Sequence, residues 1–389
     1  MKILNLHDSD NIKLIPLRIR EARVSRGYSL FDLAEEINVS KQLVSKYELG
    51  TVKVPAENLV KISQLLEFPL SFFYKYKDPE INNYSESVTF FRSLRSTSKK
   101  TKISLEQNID FVQEIFLFLK KYIDFPPVDI PENIAEDYKT GVSDEYIEEM
   151  AMKLRQYWNL GNKPIKNLSN LLLKKGFVIS RVELNTEKVD AFSKLTSSGI
   201  PCVILGSDKN SAVRSRMDLA HELGHIILHS HIEETEFEKN LKKIEKEATK
   251  FAGSFLLPAV SFSEDIHSVA LDSFIYLKEK WKVSIAAMVV RTHSLQLISD
   301  EQYNSLFRQI NAKNWRRKEP LDDSIDFERP NMINEALELL VNNNILTLEE
   351  FIDNICFNEK DIENLCFLPI GYFKSNIYKN NKPQLKIIK

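Results

Sequence analysis

Arg216-Met217-Asp218-Leu219-Ala220-His221-Glu222-Leu223-Gly224-His225-Ile226-Ile227-Leu228-His229 is the stretch from which the rest of the chain is read. Leu219, Ala220, Leu223, Ile226 and Ile227 recur at helical spacing, which predicts a half-buried helix. On such a helix positions i and i+4 stack on one face, so the Nε2 atoms of His221 and His225 can converge on one tetrahedral ion. Glu222 is rotated off that pair. It misses an ion held by the two imidazoles yet can reach a water on that ion as general base. The competing reading is a pair of satisfied core histidines. With 7 histidines in 389 residues, a chance pair at this offset with Glu in that slot explains the pattern poorly.

A catalytic zinc of this kind takes a third protein ligand and keeps one position open. Downstream, Ile244, Ala248, Ala252, Phe251 and Phe255 mark one apolar face of a further helix. Glu245 lies one turn before Ala248 and Thr249 on that stripe and is the preferred third ligand. Glu247, on an azimuth that reads as more exposed, is held in reserve. His231 falls ten residues after His221, but Leu228 stands where that ligand pattern needs a helix-breaking glycine. His229 continues the His221/His225 face and reads as a supporting or core histidine rather than a fourth ligand.

These residues resemble the ImmA/IrrE family of zinc metallopeptidases. The likeness rests on Arg216 through His229, then Glu245-x-x-Ala248-x-x-Phe251-Ala252-x-x-Phe255-Leu256-Leu257-Pro258. Phe177-Val178-Ile179, Asp190-Ala191-Phe192, Cys202-Val203-Ile204-Leu205 and Val283-Ser284-x-x-Ala287-x-x-x-Arg291 extend it over residues 160–300. Thr249 departs from the pattern, since the family usually has Asn or Asp after that alanine. The resemblance implies Zn2+ as cofactor and endopeptidase chemistry, with helix-turn-helix repressors as substrates whose cleavage releases stress, prophage or mobile-element genes. Residues 177–182 and 202–205 read as strands of a small sheet. An edge strand at 202–205 would let a substrate add as a further strand. His229, His231, Arg291, His293 and several tyrosines all remain candidates for stabilising an oxyanion.

The N-terminal region carries a second signal. Ser29 to Ile37 reads as a short helix with a Ser/Asp capping box, Asn38-Val39 as a turn, and Ser40 as the cap of a second helix over Lys41 to Glu48. Leu43, Val44 and Tyr47 would face inward. Arg18-x-x-Glu21-x-Arg23, Leu33-Ala34, Val39-Ser40, Val44-Ser45-x-Tyr47-Glu48-x-Gly50 and Pro55 resemble the Cro/phage-repressor (XRE) helix-turn-helix. That resemblance places the helix from Ser40 in the major groove, with Gln42 and Lys46 at base edges, Ser40 and Lys41 nearer phosphate, and Ser45 on the same face. Leu30 departs from it, because a phosphate-touching Gln is frequent there. The positive excess over residues 13–53 is small, so a helical module for protein contact is the competing reading.

The net charge of −2 does not suggest a general nucleic-acid sponge. No run of about eighteen apolar residues and no signal peptide is evident. Cys202, Cys356 and Cys366 are odd in number and lack metal-site spacing, which fits a reducing cytoplasm. The expected fold is α+β and mostly helical: a five-helix helix-turn-helix domain over 1–78, a helical connector over 79–160, a zincin-like catalytic domain with a small sheet over 161–312, and a helical C-terminal extension over 313–389. Residues 90–102 form a basic, hydroxyl-rich run read as a linker, and Trp315 to Pro320 reads as a hinge. The expected function is a cytoplasmic DNA-binding transcriptional regulator with zinc-dependent endopeptidase activity. Its expected partners are double-stranded operator DNA, a repressor-like protein substrate and, by default, a second copy of itself. The alternative is a regulator, or a toxin–antitoxin or defence component, whose zinc domain senses or dimerises without turnover.

Overall fold

The computed structural model describes residues 13–77, 89–91, 98–132, 134–184, 189–196, 198–207 and 211–380. Residues 92–97 of the basic run expected as a linker lie outside them, while its last residues, Lys99–Lys102, belong to a helix. The chain is mostly helical with a small sheet, and it falls into two compact units. One is drawn from Met1–Asn83, Arg95–Asp124 and Asn331–Lys389, the other from Tyr84–Leu94 and Phe125–Pro330. No helix among the described residues is long and apolar enough to cross a membrane.

The first unit opens with α1 (Pro16–Ser25), α2 (Leu30–Glu36), α3 (Lys41–Glu48), α4 (Ala56–Leu66) and a 3-10 turn at Leu70–Tyr74. The capping box at α2 is complete: the Ser29 hydroxyl accepts from the Asp32 amide at 3.1 Å, and the Asp32 carboxylate accepts from the Ser29 amide at 2.7 Å. Asn38, with φ of 56°, makes the left-handed step between α2 and α3, a conformation that Asn tolerates well. Ser40 then caps α3 through the Leu43 amide. Ile19, Leu33, Val44, Tyr47, Ile62 and Phe72 form the core, whereas Leu43, expected inward, is only half-buried.

Helix α5 (Lys99–Lys120) packs on α1. Buried charge joins them. Arg18 spans Glu114 in a two-pronged bond at 2.9 and 2.8 Å, Lys75 reaches the same carboxylate at 2.8 Å, and Lys77 meets Glu21 at 2.7 Å. Desolvated ions are tolerated only when paired this closely.

The second unit contains α6 (Asp144–Tyr157), α7 (Leu168–Lys174) and a four-stranded sheet, with β1 (Thr89–Phe91), β2 (Val178–Val182), β3 (Ala191–Leu195) and β4 (Pro201–Gly206) ordered β1-β3-β4-β2. β2 runs parallel to β4, while β3 lies antiparallel to both β4 and β1. β4 is therefore central and wholly buried, not the edge strand expected at 202–205. Its edges are already bonded by β2 and β3, so it cannot accept an added strand. Helices α8 (Ala212–His229) and α9 (Glu234–Leu256) pack closely together, and α8 also lies against β3 and β4. Then come α10 (Ala259–Asp265), α11 (Ser273–Trp281), α12 (Ile285–Ser294) and α13 (Asp300–Ala312).

The stretch Trp315 to Pro320, expected as a hinge, is anchored at Glu319. Glu319 is buried, accepts from the amides of Ile285 and Ala286 at 2.8 and 3.1 Å, and pairs with Lys278 at 2.8 Å. It thereby caps α12 and fastens α11.

The chain then re-enters the first unit as α14 (Met332–Asn342), α15 (Leu348–Ile355), α16 (Glu359–Leu365) and α17 (Tyr372–Asn380). Arg26 holds Asp361 at 2.8 and 2.6 Å, Asn358 donates to the Glu67 carbonyl at 2.6 Å, and Phe357 packs on Phe68, Phe72 and Phe111. The expected connector is thus divided at residue 124 between two units. The C-terminal helices belong with the helix-turn-helix rather than forming an extension of their own.

Candidate metal centre and helix-turn-helix surface

His221 and His225 fall one turn apart on α8, a helix buried almost throughout its length. Their Nε2 atoms lie 3.0 Å apart. Glu245, from α9, places Oε2 at 3.3 Å from His221 Nε2 and Oε1 at 3.4 Å from His225 Nε2. The ligand atoms of these three residues all lie within 4.8 Å of one another, and no other such group of three His, Cys, Asp or Glu occurs among the described residues. Two imidazole nitrogens and one carboxylate form a donor set suited to a divalent ion such as zinc, whose bonds to N and O run to about 2.0–2.2 Å.

Glu222 is fully buried beside this group, and its Oε2 accepts a 2.6 Å bond from the Ser193 hydroxyl on β3. Ser193 was not foreseen. Its one signal is a small polar residue in a strand that is otherwise apolar toward α8. Thr249, the departure noted in the sequence, lies with Oγ1 at 3.2 Å from His221 Nδ1 and donates to the Glu245 carbonyl at 2.8 Å.

Glu247 departs from expectation. It is more buried than Glu245, with side-chain exposures of 6% and 18%, and it meets His229 rather than the His221/His225/Glu245 group. Its carboxylate accepts from the Tyr138 hydroxyl at 2.5 Å and the Gly141 amide at 2.8 Å, and His229 Nε2 stands 3.3 Å away. Burial raises its pKa, but those three partners outweigh burial and leave it below the usual carboxylate value. Burial lowers the pKa of His229, more than Glu247 raises it. The Tyr138 hydroxyl is pushed up by burial and by the adjoining carboxylate. His229 Nδ1 is 3.0 Å from His225 Nδ1. His231 lies beyond the end of α8 and is exposed, outside the cluster.

Two of the oxyanion candidates are engaged elsewhere. Arg291 is held by Glu148 at 2.8 and 2.5 Å, and His293 meets Asp300 at 2.7 Å.

On α3, Ser40, Lys41, Gln42 and Lys46 are exposed together, with Ser45 half-buried on the same side, opposite the buried Val44 and Tyr47. Arg23 braces the far end of that helix through Glu48 at 2.5 and 2.9 Å.

Residues 19–73 match the helix-turn-helix family model, and residues 173–293 match the IrrE N-terminal-like domain. The chain joins an XRE-type helix-turn-helix to an ImmA/IrrE-family domain. Over 58 residues, 15% of its length, it is 43% identical to an uncharacterized HTH-type transcriptional regulator of Sinorhizobium medicae (strain WSM419) and to another of Rhizobium meliloti (strain 1021). That stretch spans 42% of each relative, less than half of their length. The IrrE-like match encloses the metal-ligand candidates, Glu222 and Ser193, whereas Tyr138 lies upstream of it.

Proposed function

We propose that the protein is a DNA-binding transcriptional regulator with zinc-dependent endopeptidase activity, and that its substrate is a repressor-like helix-turn-helix protein. The observation that carries the proposal is the convergence of His221, His225 and Glu245 beside a buried Glu222 that Ser193 orients. In this reading His221, His225 and Glu245 hold zinc. When bound, zinc supplies Lewis-acid polarisation of a peptide carbonyl and makes a water more acidic. Glu222, fixed at Oε2 by the Ser193 hydroxyl, takes a proton from the attacking water and delivers it to the leaving amine. A site kept for structure alone needs no such base and usually closes its fourth position with another protein ligand. The exposed face of α3 is assigned to operator DNA, with Gln42 and Lys46 at base edges and Ser40, Lys41 and Ser45 flanking them.

The test pairs zinc content with cleavage of a purified repressor-type helix-turn-helix protein. Glu222→Gln should keep its zinc and lose cleavage by about 10²–10⁴-fold, the usual worth of a positioned base. Equal cleavage by both proteins would remove Glu222 from the chemistry. Zinc without cleavage in the wild type would favour the non-catalytic reading.

A further inference from the structure

We infer that Tyr138, Glu247 and His229 form a buried hydrogen-bond relay whose task is to hold His225 with its Nε2 lone pair toward the metal, an inference that rests on the zinc reading above. The relay lies at hydrogen-bond range throughout: Tyr138 Oη to Glu247 Oε2 2.5 Å, Glu247 Oε2 to His229 Nε2 3.3 Å, and His229 Nδ1 to His225 Nδ1 3.0 Å. The direction of each bond follows from which groups can donate. An ionised Glu247 only accepts, so it takes the Tyr138 hydroxyl, the Gly141 amide and the proton of His229 Nε2. His229 then presents an unprotonated Nδ1, and His225 must donate to it from Nδ1–H. A neutral imidazole carries one proton, so His225 Nε2 is left as an acceptor on the side of His221 and Glu245. His229 and Glu247 therefore support a ligand rather than compete for the ion.

The surroundings keep that chain dry. His229 is fully buried, Tyr138 meets its ring edge-on at 5.1 Å, and Tyr138 itself packs on Ile232, Phe237, Leu241 and Ile244. Thr249 does for His221 what the relay does for His225. Its hydroxyl proton goes to the Glu245 carbonyl, which leaves the oxygen to accept from His221 Nδ1. Partners that orient metal-binding histidines typically change affinity about 10–100-fold when removed.

The test measures zinc affinity of the full chain by competition with a chromophoric chelator, and the visible bands of the Co2+-substituted protein. Glu247→Gln offers His229 an amide proton and lets the relay run backwards, so zinc should bind about 10–100-fold more weakly and the Co2+ bands should shift. His229→Asn keeps an acceptor near the place of Nδ1, whereas His229→Leu keeps only bulk. The relay requires Asn to bind zinc more tightly than Leu. A packing role alone predicts the reverse order in so apolar a pocket. Tyr138→Phe, which leaves the shape intact, should weaken binding by a few-fold, and it keeps the test open if His229→Leu does not fold. Wild-type affinity in Glu247→Gln, or Leu equal to Asn at position 229, overturns the relay. His221→Ala separates the two levels: if wild type binds zinc and His221→Ala does not, a silent relay fails alone. If wild type itself binds no zinc, the underlying reading falls and the relay with it.

Discussion

Gly224 sits between the two histidines on α8, and its lack of a side chain lets α9 come close enough to deliver Glu245. A methyl group there would stand 3.1 Å from the Ala248 carbonyl oxygen, 3.1 Å from Phe251 Cδ1 and 3.2 Å from Ala248 Cα. Carbon contacts are comfortable at about 3.5–4.0 Å, so Gly224→Ala asks the two helices to part by about half an ångström. Glu245 lies one turn before Ala248 and moves with it, while metal sites tolerate errors of only about 0.2 Å. Overpacking of this sort costs about 1–3 kcal/mol, and alanine returns about 1 kcal/mol in helix propensity. Without metal, then, the variant should be between unchanged and about 2 kcal/mol less stable in a denaturant titration. On the proposed zinc reading the separation matters, because an ion held by His221, His225 and Glu245 would require the closed spacing. If that strain is expressed on binding, affinity falls by about 5–150-fold at 1.4 kcal/mol per factor of ten. Chelator competition measures it, and Gly224→Val should fall further. A variant that binds zinc like wild type and gains about 1 kcal/mol of metal-free stability would show that the helices have room, and would refute the close-approach argument.

Two further outcomes concern the first unit. Gln42→Ala should relax sequence preference by about 1–3 kcal/mol at one base pair in a competition series of duplexes. A uniform loss over all duplexes would make Gln42 a phosphate contact instead. Glu114→Ala leaves the buried Arg18 with only Glu21 as a carboxylate partner, at 3.2 Å, takes the carboxylate from the half-buried Lys75, and should cost about 3–5 kcal/mol in chemical denaturation, with a loss under 1 kcal/mol speaking against a buried network. Burial raises the Glu114 pKa, but hydrogen bonds and charge from Arg18 and Lys75 outweigh it, so the folded value lies below the ordinary one. Its contribution is accordingly present near neutrality and lost as pH falls through that depressed value. Glu21, raised by burial, acts with the opposite sign, and Glu114→Gln at two pH values separates the two.

The part of the candidate centre that lies on one helix was legible because helical spacing is a local property. His221, Glu222 and His225 need only α8, and Glu245 needs only the apolar stripe of α9. Glu247 was misjudged for the complementary reason. An azimuth read from α9 says which way a side chain leaves its own helix, not what covers it. The cover comes from the loop bearing Tyr138 and Gly141, more than a hundred residues upstream, where nothing in Glu136-Asp137-Tyr138-Lys139-Thr140-Gly141 announces a partner. Ser193 escaped notice likewise: a serine in a strand is unremarkable until α8 lies against it. The edge assignment for 202–205 failed because strand order is set by pairing at long range, and alternation within one strand carries no word of its neighbours.

The compact units differ from the expected segments because a reading along the chain takes each unit to be continuous in sequence. The caps of the helix-turn-helix are local and legible from Ser29, Asp32 and Ser40, but the unit those helices belong to also includes residues 331–389, which come much later in the sequence. Arg26 finds Asp361 and Phe68 finds Phe357 across nearly three hundred residues or more. Closing so long a loop costs little more than closing a short one, since the entropy grows only with the logarithm of length. Contacts of moderate strength therefore suffice to bring α14–α17 home. Phe357 against Phe68, Phe72 and Phe111 supplies apolar burial that the short helices α2 and α3 cannot provide among themselves. The helix-turn-helix is thus recognisable from its own residues, while the core that supports it is distributed over both ends of the chain.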